Sequence, residues 1–142
     1  MTRSLFIGSC LLVSALTQGS AQGVESVMDQ FTSYWASGDA SSIAGLAAEN
    51  GITLDLLDRK HSGALRERQV AAVLRNLFEQ RETIQVRKLA PQMVGGQPPR
   101  AFGEVTWMMQ PRGTTIPEKV TVFVAWILQK DGWRITEIRL KS

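Results

Sequence analysis

The segment from Lys119 to Gln129 is apolar on both of its faces. Val120, Val122, Val124, Trp126 and Leu128 share one parity, while Phe123, Ala125 and Ile127 share the other. Side chains of a strand alternate between the faces of its sheet, so a strand in a one-sided sheet shows a polar residue at every second position. A chain that contains this strand has to cover both faces. Helices can cover one; for the other we expect a second copy of the chain, a homodimer through the sheet.

The helices that could cover the first face are legible upstream. Val24, Val27, Met28, Phe31, Tyr34 and Trp35 recur at steps of three and four, the spacing of one helical face. Gly38 can end that helix and Asp39 can cap a second, on which Ile43, Leu46 and Ala47 share a side. Ile52-Thr53-Leu54-Asp55-Leu56 then alternates with period two, as a half-buried strand does. Asp58-Arg59-Lys60-His61-Ser62-Gly63 reads as a charged, exposed turn. Beyond it Val70, Val73, Leu74, Leu77 and Phe78 form the clearest stripe in the chain, with Arg66, Glu67, Arg75, Glu79 and Arg81 mainly outside it. Burying each stripe residue is worth about 1.5–3 kcal/mol before entropy, so this helix has to lie on a sheet.

The rest reads as strands. Thr83–Leu89 is the first, ended near Pro91, and Gly95-Gly96-Gln97-Pro98-Pro99 is a loop by its breakers. Ala101–Gln110 and Lys119–Gln129 are long strands separated by Pro111-Arg112-Gly113-Thr114. Lys130-Asp131-Gly132 makes a tight hairpin into Trp133–Lys141. In this last strand Trp133 and Ile135 share one parity and Ile138 and Leu140 the other, which a bulge near Thr136-Glu137 would reconcile.

The first residues have a different character. Arg3 precedes an apolar run from Leu5 to Leu16, and a polar exit places small residues before a cut after Ala21. This is the order of a secretory signal peptide. The run is too short for a membrane anchor, which takes about 20 residues. Ile7-Gly8-Ser9-Cys10 faintly resembles a lipoprotein box, but the apolar core continues past Cys10, so Cys10 reads as an ordinary leader residue. Cleavage would leave one domain over residues 24–141, exported to the periplasm or the medium, with no cysteine and no membrane span. The 142-residue chain has 16 Lys+Arg against 13 Asp+Glu, one Cys and one His. That excludes a disulfide scaffold, makes a Cys/His metal cluster implausible, and gives too small a basic excess for a nucleic-acid partner. No metal or cofactor is expected.

The order of elements, with Phe31-Thr32-Ser33-Tyr34-Trp35-Ala36-Ser37-Gly38-Asp39, Ala48-Glu49-Asn50 before the first strand and the ending Asp131-Gly132-Trp133-Arg134-Ile135, resembles the nuclear transport factor 2-like superfamily. These are the SnoaL-like or cystatin-like cone folds. Gln69–Phe78 resembles the sheet-covering helix of an uncharacterised, often exported bacterial branch, although Leu65-Arg66-Glu67 stands where that branch has a Ser or Thr. The resemblance implies an α+β fold in which N-terminal helices and one further helix pack on a strongly curved, mainly antiparallel sheet forming a cone around an apolar cavity. It covers isomerases, dehydratases, cyclases and non-catalytic binding or dimerisation modules, among which the fold does not choose.

Ketosteroid isomerases of that superfamily use a carboxylate base with a Tyr and a protonated Asp as oxyanion donors. Carried onto this chain, the base position falls on Asp55, the Tyr position on Phe31 and the acid position near Val124. Two of the three roles are therefore missing, and the alternation of Ile52, Leu54 and Leu56 turns Asp55 outward. Glu104 is the other candidate base, if it faces a cavity. His61 has no His partner for a metal and sits in the charged turn. Tyr34, Trp107, Phe31 and Trp126 are the candidate ligand-binding residues, for a flat or greasy molecule, against the alternative that they are core.

Three functional expectations follow. The leading one is an exported, non-catalytic domain that binds a small apolar ligand or a protein partner as a homodimer. The alternatives are an isomerase- or dehydratase-like enzyme with Asp55 or Glu104 as base, and a structural dimerisation module with a filled core.

Overall fold

A computed structural model describes residues 15–57 and 59–142, with backbone alone over 15–22. Most of the leader expected at residues 1–21, Cys10 included, lies outside the described residues. Three helices, α1 (Ala15–Ser37), α2 (Ala40–Ala44) and α3 (Glu67–Gln80), lie with seven strands. These are β1 (Ile52–Leu56), β2 (Arg59–Leu65), β3 (Arg81–Lys88), β4 (Gln92–Gly95), β5 (Arg100–Pro111), β6 (Glu118–Gln129) and β7 (Gly132–Lys141). They form one curled sheet in the order β2-β1-β7-β6-β5-β3, with β4 also paired to β5. All pairings are antiparallel except β1 with β7.

The helix breaks follow from local chemistry. Gly38 adopts φ +67°, its N–H donates to the Trp35 carbonyl and the Asp39 N–H to that of Tyr34, which together close α1 with a Schellman motif. Asp39 then caps α2, accepting from the Ser42 N–H at 3.2 Å and the Ser42 hydroxyl at 2.6 Å. Leu46 and Ala47 were expected on this helix but lie beyond its end. The chain there turns to pair with β7, the Ile135 N–H donating to Leu46 and the Ala48 N–H to Ile135. At α3 the Gln69 side chain supplies the start signal by accepting the Arg66 N–H at 3.0 Å.

The expected bulge is present. Ala125 pairs with Glu137 and Trp126 with Ile135, so Thr136 is the extra residue, and both Ile135 and Ile138 reach the core. Two strands differ from expectation. Residues 59–65 form β2 on the sheet edge rather than a turn, and a short β4 precedes the expected loop. Both are edge segments whose pairing is imposed by β1 and β5, not by apolar alternation of their own.

The core lies between the helices and one face of the sheet. Val24, Met28, Phe31 and Trp35 of α1, with Val70, Leu74 and Leu77 of α3, meet the inward residues of β1, β5, β6 and β7. Gly103 lets α1 come close, since a Cβ there would collide with the Met28 thioether. Lys88 of β3 ties α1 from outside, its Nζ lying 2.5 Å from Asp29 and 3.2 Å from Glu25.

Candidate functional site

The inner face is filled by rings. Trp35 packs against Phe31, Phe78 and Trp107 at centroid distances of 5.5, 5.0 and 5.4 Å, and Phe31 meets Trp126 edge-on at 6.2 Å. Phe31 and Trp107 are 0% exposed and Trp126 is 1% exposed. A side chain lining a cavity large enough for water would keep accessible surface, so these three rings face no room for a ligand. Their polar atoms are engaged as well. The Trp107 indole N–H donates to the Thr83 hydroxyl at 2.9 Å, and the Trp126 indole N–H points at the Met28 sulfur at 3.2 Å. Tyr34, the fourth of the set, is half-buried at the edge of this core. The apolar cavity implied by the cone resemblance is occupied here by the protein's own tryptophans.

The outer face has another composition. Asp55 and Glu104 both lie on it, opposite in parity to the buried residues of their strands. The register places them in one row across the sheet: Glu104 beside Phe123, Phe123 beside Arg139, and Arg139 beside Asp55. Three strand spacings, about 14 Å, separate the two carboxylates along that row. They cannot share a substrate as an acid–base pair at that distance. A second row holds Phe102, Ala125 and Glu137. A shallow depression of about 330 Å³ runs over this region, lined by Leu89, Phe102, Glu104, Phe123, Ala125, Glu137 and Arg139 among others. Phe102 is 51% exposed, and the Arg139 guanidinium sits 5.5 Å from the Phe123 ring centre with its Nε buried and without a hydrogen-bond partner.

His61 is half-buried in β2, not exposed in a turn, because the strand lies beside α3. Sequence reasoning missed this: the burial comes from the docking of a helix that follows six residues later. Among the described residues no group of three or more His, Cys, Asp or Glu gathers to hold a metal ion, and no helix is long and apolar enough to cross a membrane. Among the described residues two titrating groups shift clearly, and neither lies in the outer depression. Hydrogen bonds from Ser42 hold the Asp39 carboxyl below its ordinary value, and the hydrogen bond to Asp29 raises Lys88 against a smaller opposing effect of burial.

This fold is shared with solved structures of low sequence identity. An NTF2-like protein with a cystatin-like fold from Novosphingobium aromaticivorans is 13% identical, with TM-score 0.63, over 94% of this chain and 90% of that one. The fold is the nuclear transport factor 2-like cone. A DUF4783 family protein from Bacteroides uniformis shares this cone at 10% identity, with TM-score 0.64, over 85% of this chain and 94% of its own. A putative calcium/calmodulin-dependent protein kinase type II association domain from Thiobacillus denitrificans does so at 15% identity and TM-score 0.54, over 79% of this chain and 88% of its own. No protein-family model matches the sequence, and no curated protein matches it either, so the likeness is one of shape.

Proposed function

We propose that this chain is an exported, non-catalytic module that acts by association, with the outer face of its cone sheet pairing with a second copy. The observation that carries this reading is the contrast between a closed interior and an outer face that keeps Phe102 half exposed among both signs of charge. Phe102, Phe123, Ala125 and Ile127 form its apolar centre, and Glu104, Glu137, Asp55 and Arg139 surround it. A two-fold interface brings the same patch against itself, so a face that carries cations and carboxylates around an apolar centre can complement its own copy. The Arg139 guanidinium, beside the Phe123 ring on this face, can pair with a carboxylate of the second copy.

The face is also large enough. Four strands at about 4.8 Å spacing and ten residues of about 3.3 Å span roughly 600 Å² in projection. A standard interface takes about 800 Å² from each partner, the same order. The putative association domain from Thiobacillus denitrificans, which has this fold, agrees with an assembling role for this shape. Export rests on the signal-peptide order of the first 21 residues.

Sedimentation velocity tests the pairing. The protein is expected to run as a dimer at micromolar concentration, and Phe102→Asp and Arg139→Glu as folded monomers; a parent that is monomeric at high micromolar concentration contradicts the reading. N-terminal sequencing of the exported protein tests the leader, with Gln22 expected first. A second reading, a small apolar ligand, has one observation in its favour: the outer depression of about 330 Å³ with Phe102, Phe123 and Glu104 in its lining. Native mass spectrometry of the purified protein would show the extra mass.

A further inference from the structure

Ala125 carries the smallest side chain in the apolar centre of the outer face. Register sets Phe102 beside it on β5 and Glu137 beside it on β7, while Phe123 precedes it on the same side of β6. A methyl group among three longer side chains leaves a recess, and the depression of about 330 Å³ has Ala125, Phe102, Phe123 and Glu137 in its lining. Phe102 is 51% exposed beside this recess. A projecting ring and room for a ring therefore sit one strand apart, since a cavity of about 150 Å³ already holds benzene. One row further along, Glu104 pairs in register with Phe123, and the Arg139 guanidinium lies 5.5 Å from the Phe123 ring centre.

We propose that the second copy docks about a two-fold axis that runs parallel to the strands, midway between β5 and β6, so that Phe102 of each copy fills the recess over Ala125 of the other. This rests on the self-pairing proposed above and adds its axis and its contacts. Two sheets that meet by the same face are related by an axis lying in the plane between them. Placed between β5 and β6, that axis lays β5 of each copy over β6 of the other. Residues paired in register within one sheet then face each other across the interface. Phe102 meets Ala125 twice, and the two Phe102 rings come side by side near the axis, about 4.8 Å apart. Glu104 comes over Phe123 of the second copy, where that copy's Arg139 lies, so each Glu104 gains a guanidinium. Across these two central strands no charge meets one of its own sign. Turned by a right angle, along the row Glu104-Phe123-Arg139, the axis would set Glu104 on Glu104 and Arg139 on Arg139, which like-charge repulsion disfavours.

Sedimentation equilibrium measures the dimer constant of the protein and its variants, with circular dichroism as the check of folding. Ala125→Phe puts a ring where Phe102 of the second copy must enter, and should weaken dimerisation at least about tenfold; Phe102→Ala, which leaves the recess empty, should do the same. The double variant Phe102→Ala, Ala125→Phe moves the ring to β6 and the recess to β5. The same axis then brings ring to recess again, and the constant should return to within about threefold of the parent's. Charge supplies an independent pair: Arg139→Glu should disrupt the dimer, and Glu104→Arg in the same chain should restore it. A dimeric parent whose Ala125→Phe variant pairs as tightly as before, or whose folded double variant stays monomeric, would overturn this axis and leave self-pairing standing. A monomeric parent would overturn both. Restoration of Arg139→Glu by Glu137→Arg, and not by Glu104→Arg, would also overturn it, because an axis across the strands sets Arg139 against Glu137.

Discussion

Strand β6 belongs to two environments at once. On its inner side Val120, Val122, Val124 and Trp126 are 0–1% exposed, sealed by α1 and by the inward residues of β5 and β7. On its outer side Phe123, Ala125 and Ile127 are half-buried, shielded only by their neighbours along the sheet. The inner side is complete within one chain. The outer side is as apolar as a core strand but borders Glu104, Glu137 and Arg139. A cone that filled its cavity with tryptophan has left its remaining apolar surface facing outward, and this moves the expected point of action from the inside of the cone to its back.

The largest effect should come from breaking the inner side. Trp107→Ala removes a fully buried ring and orphans the Thr83 hydroxyl, so we expect a loss of about 3–5 kcal/mol, read as a lower denaturation midpoint with an unchanged m-value. Gly103→Ala comes next. The new methyl meets the Met28 thioether, and since that side chain is itself 0% exposed the overpacking should cost about 1–3 kcal/mol, measured in the same way. Combining it with Met28→Ala, which vacates that space, should give a smaller loss than the two single changes summed, a non-additivity that a double-mutant cycle detects.

An outer change of similar chemical violence should hardly move the monomer. Phe102→Asp is expected to alter the stability of the isolated fold by no more than about 0.5 kcal/mol, while weakening self-association by tenfold or more. Loss of folding by this variant would erase the distinction between the two sides. The smallest effect lies away from both. The Asp39 carboxyl is held below its ordinary value by Ser42, so the stabilisation it brings is present above the unfolded-state pKa of about 3.9 and fades as the pH falls through the lower folded value. The difference in Tm between the protein and Asp39→Asn should therefore narrow between pH 4 and pH 2; a difference that stays constant would show that the charge plays no part.

The contrast between the sides was legible in the sequence to the extent that it is periodic. The double parity of residues 120–128, the stripe from Val70 to Phe78, the Gly38-Asp39 break and the bulge at Thr136 all follow from side-chain spacing or turn chemistry, and each is found where spacing put it. What spacing leaves open is which face of the sheet the helices take. Glu104 alternates correctly with its neighbours in either case, and only the docking of α1 against Gly103 decides that Glu104 faces outward. The same holds for Phe31, Trp107 and Trp126, whose sequence pattern suits pocket and core alike; the volume that the four tryptophans and Phe31 occupy together is a property of the packed cone. Edge strand β2 was illegible for a different reason. Its pairing comes from β1, and its charged residues are of the kind that protect an exposed sheet edge, so Arg59-Lys60-His61 reads locally as a turn.

The most direct test mixes isotope-labelled and unlabelled copies of the protein and records only NOEs that pass between them. The account predicts intermolecular contacts from Phe102, Phe123 and the Arg139 side chain, with none from the rings of Phe31, Trp107 or Trp126. Intermolecular contacts confined to an edge strand such as β3, around the exposed Ile84, or the absence of any, would contradict it.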